Sequence, residues 1–225
     1  MKIFNILTIT LLFFTVTLNA YPNPKEFSGI IVYNISYEGD QVNEQMMAMV
    51  PKTMKMMIKE NKVRTEMNMG MGSQVMIVDS EAKTGTILMD MMGQKMAISL
   101  TPDYFDEQTK DANDVEVIET GNTKEIAGYT CKEALVKVKD EKSEFTVFYT
   151  DELGSGALNI DNPYAEHIDG VMLEFSTEDK KMKMKMKFSA ISVDKKKISD
   201  KEFEVPEGYQ EMSVDQYKSM QGGGY

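Results

Sequence analysis

The chain has 225 residues, of which 25 are Lys or Arg and 36 are Asp or Glu, for a formal net charge of −11. That balance excludes a protein that tracks a phosphate backbone, which needs surplus cations, and a single His and a single Cys leave no zinc ligand set. Methionine is the outlier, with 21 residues, 14 of them between Met46 and Met96.

Residues 1–20 read as an export signal. Lys2 supplies a positive start, residues 3–18 are apolar or hydroxylated apart from Asn5, and Ala20 is a small residue before a cut at Tyr21. The apolar run is shorter than the roughly 20 residues that a spanning helix needs, so a cleaved signal is expected rather than an uncleaved anchor. No Cys directly follows the apolar region to carry an acyl group. The mature chain is therefore expected in the periplasm or outside the cell.

Beyond the signal, the chain reads as period-two segments separated by turn residues, the pattern of an antiparallel sheet. Residues 27–38 put Ile31, Tyr33, Ile35 and Tyr37 on one side, and Gly39 ends the run. Residues 41–50 fit either a strand or a helical stripe through Val42, Met46, Met49 and Val50, and Pro51 stops both. Met54, Met56 and Ile58 then share a face; residues 59–62 turn; Val63, Thr65, Met67 and Met69 return opposite Arg64, Glu66 and Asn68. Val75 and Ile77 mark another strand after Gly70 and Gly72, Ile87, Met89 and Met91 the next, and Met96 and Ile98 follow Gly93.

Pro102 after Thr101 signals a helix start, predicting a short helix over residues 103–112. Strands are predicted again at 115–119, 133–138, 144–150, 172–176, 181–193 and 203–205. Residues 154–169, rich in Gly, Asn and Pro, form a candidate lid or rim loop. A last helical turn is predicted at 213–220. The organisation expected is a signal over residues 1–20, one domain over 21–213 and a C-terminal tail over 214–225. In residues 181–187 Lys and Met alternate strictly, which sends Met182, Met184 and Met186 to one face and the ammonium groups to the other.

Little here suits catalysis. His167 stands alone, with no Ser or Cys nucleophile motif around it, and there is no phosphate loop or calcium loop. The expectation is a non-enzymatic protein without a cofactor. Cys131 opens a strand-like run and is expected to be a buried, inert thiol. Arg64, the sole guanidinium, shares a face with Glu66 and is expected to form a surface pair. The lysines at 180, 181, 183, 185, 187 and 195–197 read as a solvated strand face that blocks edge pairing, with contact to anionic lipid headgroups as the alternative.

The methionines at 54, 56, 67, 69, 89, 91, 182, 184 and 186 fall at strand spacing and would line one adaptable apolar face, since the unbranched thioether suits varied apolar partners. The alternatives are an ordinary core that uses Met in place of Leu and, because soft thioethers select Cu(I) or Ag(I), a metal site at Met67, Met69 and Met71.

Residues 63–67 (VRTEM), 126–132 (IAGYTCK), 145–153 (FTVFYTDEL) and 203–209 (FEVPEGY) resemble the exported bacterial proteins of domain-of-unknown-function family 4412, from about Gly29 to Tyr209. That family is similar to the periplasmic lipoprotein-carrier (LolA-like) superfold. The resemblance implies a mainly β fold, a curved antiparallel half-barrel closed by short helices around an apolar cavity. The function expected is a soluble binder or carrier of an apolar ligand, a lipid or a lipoprotein acyl chain. The alternatives are thioether Cu(I) or Ag(I) sequestration and a structural domain that docks an envelope protein partner.

Overall fold

The computed structural model describes residues 27–40, 42–109, 115–138, 143–159, 162, 167–179 and 184–222. In chain order these form β1 (Ser28–Glu38), α1 (Glu44–Met47), β2 (Thr53–Lys59), β3 (Lys62–Met69), β4 (Gly72–Asp79), β5 (Thr84–Met91), β6 (Gln94–Leu100) and α2 (Pro102–Thr109). Then come β7 (Val115–Ile126), β8 (Tyr129–Val138), β9 (Ser143–Thr150), β10 (Val171–Asp179), β11 (Met184–Lys195), β12 (Gln210–Ser213) and α3 (Val214–Gly222). The strands make one curved, unclosed sheet in the order β12-β6-β5-β4-β3-β2-β1-β11-β10-β9-β8-β7. Every pairing is antiparallel except that of β12 with β6. The mainly β, half-barrel expectation and its short helices are borne out.

Two meanders, β1–β6 and β7–β11, are joined by the pairing of β1 with β11, in register from Gly29–Lys195 to Glu38–Lys185 with a bulge after Val32. The tight reversals follow local chemistry. The turns after β2, β5 and β7 begin with Glu60, Met92 and Ala127, at φ of 56°, 53° and 51°, as a two-residue hairpin matched to the strand twist requires.

Both faces of the β3–β6 region carry packed side chains. On one, Val78, Leu100 and Phe105 are buried with Met76, Ile87, Tyr104 and Val214, so α2 and α3 cover it. On the other, Ile77, Leu88 and Ala97 lie beneath Phe203 and Tyr209. The strand predicted at 203–205 is therefore corrected. Residues Asp200–Phe203 are a short 3₁₀ helix capped by Ser199, and the chain beyond it crosses the back of the sheet before entering β12. Arg64 fixes that crossing, its Nε donating to Glu66 Oε1 at 2.7 Å and its guanidinium to the Glu202 carbonyl at 2.9 Å.

The largest core cluster lies on the first of these faces, around β1, β2, β3, β10 and β11, with Tyr33, Ile31, Ile58, Leu173 and Leu153 all essentially inaccessible. Residues 154–169 contribute to it in part. Leu158 is buried in this cluster, Asn159 donates to the Gly170 carbonyl at 2.7 Å and accepts from Met172 N at 3.0 Å, and Ile168 is buried in the neighbouring cluster. Those parts are packed cover; residues 160, 161 and 163–166 lie outside the described residues. A charged knot ties the second meander together. Glu174 accepts from Lys124 at 2.9 Å, from Lys187 at 3.1 Å and from Ser189 at 3.1 Å. Burial alone would raise its carboxyl, but the two lysines outweigh that and hold it below the usual range.

Candidate functional site: a methionine-lined face

Strand register decides which methionines share a surface. One row across the sheet runs Met96, Met89, Gln74, Met67, Met54 and Tyr33. The next row runs Ile98, Ile87, Met76, Thr65, Met56 and Ile31, and a third runs Leu100, Gly85, Val78, Val63, Ile58 and Gly29. On the outer side of the first row lie Gln94, Met91, Gly72 and Met69. Partners in register point to the same face, so Met54, Met56, Met67, Met69, Met89 and Met91 lie on one surface. Met186 and Met184 join it through β11, where Met186 faces Tyr37 of β1. Met182 lies outside the described residues.

Burial falls off along this face in one direction. In the third row Leu100, Val78, Val63 and Ile58 are all buried. In the first row Met96, Met89, Gln74 and Met67 are half-buried, as are Met91 and Met69 beyond them. The face also grades across the sheet. Met54 and Met56 belong to the solid core at 4% exposure each, and Met184 is buried at 1%. Met186 and Met67 are only partly covered and pack against that core. The accessible part is therefore a shelf of thioethers on β3–β6, between the large core and the α2–α3 cover.

Met96, which alternates with Ile98 on β6, belongs to this face, and so does Met76, although alternation alone did not select Met76. The run from Val75 to Val78 is apolar at every position, so period two cannot choose a side. Pairing of Thr65 with Met76 settles it, and sends Val75 and Ile77 to the back of the sheet. Gln74 is the polar member of the lining. Its side chain makes no hydrogen bond among the described residues, which leaves an amide donor and acceptor on an otherwise apolar shelf.

The segment between β1 and β2 frames the open end. Asn43 caps α1 by accepting from Met46 N at 2.9 Å, and Tyr37 donates to the Pro51 carbonyl at 2.5 Å. Burial pushes the Tyr37 phenol up to about 12, so it remains a donor. Of the two readings left open for residues 41–50, the helical one holds, over this single turn.

The remaining candidates take structural places. Cys131 is inaccessible, and desolvation, reinforced by Glu125, Glu152 and Glu174, pushes its thiol up to about 11, which removes the thiolate a nucleophile needs. His167 is exposed. Met71, the third member of the metal alternative, is 50% exposed in the turn after β3, whereas Met67 and Met69 lie on the shelf. Among the described residues no three His, Cys, Asp or Glu side chains gather as a metal site, and no helix is long and apolar enough to cross a membrane. A separate cleft of about 410 Å³ lies at the opposite end of the sheet, with Phe27 and Leu158 on its floor and Glu60, Glu81, Asp151 and Glu152 on its rim.

No curated protein matches the chain. Among solved structures, that described as the crystal structure of MucB is similar at a TM-score of 0.38 and 10% identity, over 81% of this chain and 59% of that one. The chain spans less than two thirds of MucB. The match that decides membership is to the family described as a domain of unknown function, DUF4412, over residues 37–209, most of the chain, and the protein belongs to that family.

Proposed function

We propose that this chain is an exported, non-enzymatic binding protein for an apolar ligand, a lipid or an acyl chain, held against the thioether shelf. The observation that supports it is the half-burial of Met67, Met69, Met76, Met89, Met91 and Met96 on one continuous face. A packed core would have covered them, as it covers Met54, Met56 and Met184. Unbranched thioethers adapt to ligands of varied shape, and Gln74 offers the ligand's polar group a hydrogen bond. Export is supported by the sequence of residues 1–20.

Titration of the purified protein with a fluorescent fatty acid tests this. Saturable binding is expected, displaced by unlabelled fatty acids whose affinity rises about fourfold per added methylene, the equivalent of about 0.8 kcal/mol of apolar burial. Met89→Lys, which places a charge on the shelf, is expected to weaken binding at least tenfold while the protein still melts cooperatively. A wild-type protein that melts cooperatively and binds no fatty acid saturably would overturn the proposal.

A further inference from the structure

The connections of the first meander separate by chemistry. The turns after β2 and β4, at one end of the sheet, carry Glu60, Asn61, Ser80, Glu81 and Lys83. The connections at the other end, between β1 and β2, β3 and β4, and β5 and β6, carry Met49, Met71 and Met92, exposed by 48%, 50% and 84%. Turn tips ordinarily take Gly, Asn or Asp. Met92 departs furthest from that rule, because its φ of 53° lies in the left-handed region where Asn or Asp would be the ordinary non-glycine choice. An apolar side chain here is both exposed and conformationally disfavoured.

The three connections are tied side by side. Gly70 N donates to the Met49 carbonyl and Met92 N to the Met71 carbonyl, each at 3.2 Å. A Cβ on Gly70 would stand 2.5 Å from the Ala48 carbonyl oxygen, so glycine is what allows the β1–β2 connection to lie so close. A Cβ on Gly72 would meet Met91 Sδ at 2.9 Å, which places that thioether over the adjoining glycine. Met49, Met71 and Met92 thus project from neighbouring backbone, with Met91 just behind them.

Simple greasy contact would be served as well by Leu, Ile or Phe, yet the large exposed apolar side chains on these three connections are all Met among the described residues. What the thioether adds is a soft sulfur donor that carries no proton and forms no disulfide. Such donors select monovalent d¹⁰ cations over harder ions, and a chain with a net charge of −11 attracts cations. We propose that Met49, Met71 and Met92 form a surface thioether site for a soft monovalent cation, Cu(I) or Ag(I), with Met91 as a fourth donor. The step is coordination alone: sulfur lone pairs replace the ion's water, and no electron is transferred. The site adjoins the apolar shelf and shares Met91 with it, while Met49, Met71 and Met92 lie on the connections beyond the shelf.

The probe is Ag(I), titrated into the full protein carrying ¹³C-labelled methionine methyl groups. The methyl signals of Met49, Met71 and Met92 are expected to shift together and saturate at one equivalent. Met54, Met56 and Met184 stay in place, and Met220, 65% exposed on α3, serves as an exposed control that does not respond. Met71→Leu combined with Met92→Leu keeps the apolar character and removes the sulfur; it is expected to lower Ag(I) affinity at least tenfold and leave the melting temperature and fatty-acid binding unchanged. Met92→Asn provides a second variant, since Asn suits the turn; it is expected to melt at or above the wild-type temperature and still lose Ag(I) affinity. Unchanged affinity in both variants, shifts centred on Met67 and Met69, or shifts at Met220 equal to those at the three turns would each overturn the proposal.

Discussion

The Tyr33 hydroxyl donates to the Met172 carbonyl at 2.9 Å, a bond between β1 and β10 that passes across β11, the strand lying between them. Both groups are buried, and the hydroxyl also lies 3.8 Å from Met56 Sδ. Tyr33→Phe would leave a buried carbonyl without this donor, at a cost of about 1–3 kcal/mol. Chemical denaturation of the variant should show a lower midpoint with an unchanged slope.

Met184, at 1% exposure, should respond to substitution as core. Met184→Leu keeps the volume and is expected to cost under about 1.5 kcal/mol. Met184→Lys buries an ammonium group without a partner and is expected to abolish the cooperative melt. A folded Met184→Lys protein would show that this position opens to water.

Arg64 holds residues 200–209 across the back of the sheet. Arg64→Ala removes a charge-assisted bond to the Glu202 carbonyl, expected to cost about 1.5–3 kcal/mol. Limited proteolysis should then cut near residues 199–209 well before the wild type is cut, and hydrogen exchange should rise at Ile77, Leu88 and Ala97, which that segment covers.

The pH response of Cys131 has a definite sign. Its folded-state pKa of about 11 lies above the ordinary value of 9.0, so the folded state keeps the proton after the unfolded chain has lost it. The group's contribution is fully present below pH 9 and declines as the pH rises through the window from about 9 to about 11. Cys131→Ala should flatten that alkaline part of the stability curve. Native protein at pH 8 should resist alkylation by iodoacetamide, and denatured protein should react.

Much of this arrangement was legible in the sequence because the β1–β6 meander alternates locally. Met54, Met67 and Met89 fall on one face by period two alone, and the register confirms that they do. The predictions ran short where structure depends on distant residues. Strands β7 and β8 extend beyond the predicted 115–119 and 133–138 to the Ala127 turn, through polar residues whose alternation carries no apolar mark. Phe203 is apolar because it covers Ile77 and Leu88, a tertiary relation that short-range periodicity cannot distinguish from strand formation. The candidate site shows the same limit. Alternation grouped Met54 and Met56 with Met67 and Met89, but only the burial of the first two in one cluster with Leu153, Leu158 and Leu173 separates core from shelf.

The place of β1 in the middle of the sheet has a consequence for the order of assembly. One edge of this strand is satisfied early by β2, a partner made soon after it; the other waits for β11, whose residues are synthesised about 150 positions later. β6 also waits, for β12 at Gln210–Ser213, the last strand to be made. Until those segments emerge, the nascent first meander presents two unsatisfied strand edges beside an apolar face, the condition under which chains pair wrongly with one another. A chain ending before residue 210 would carry the β6 edge permanently, and its yield of soluble protein would measure how far the last 16 residues serve as the closing stitch of the whole sheet.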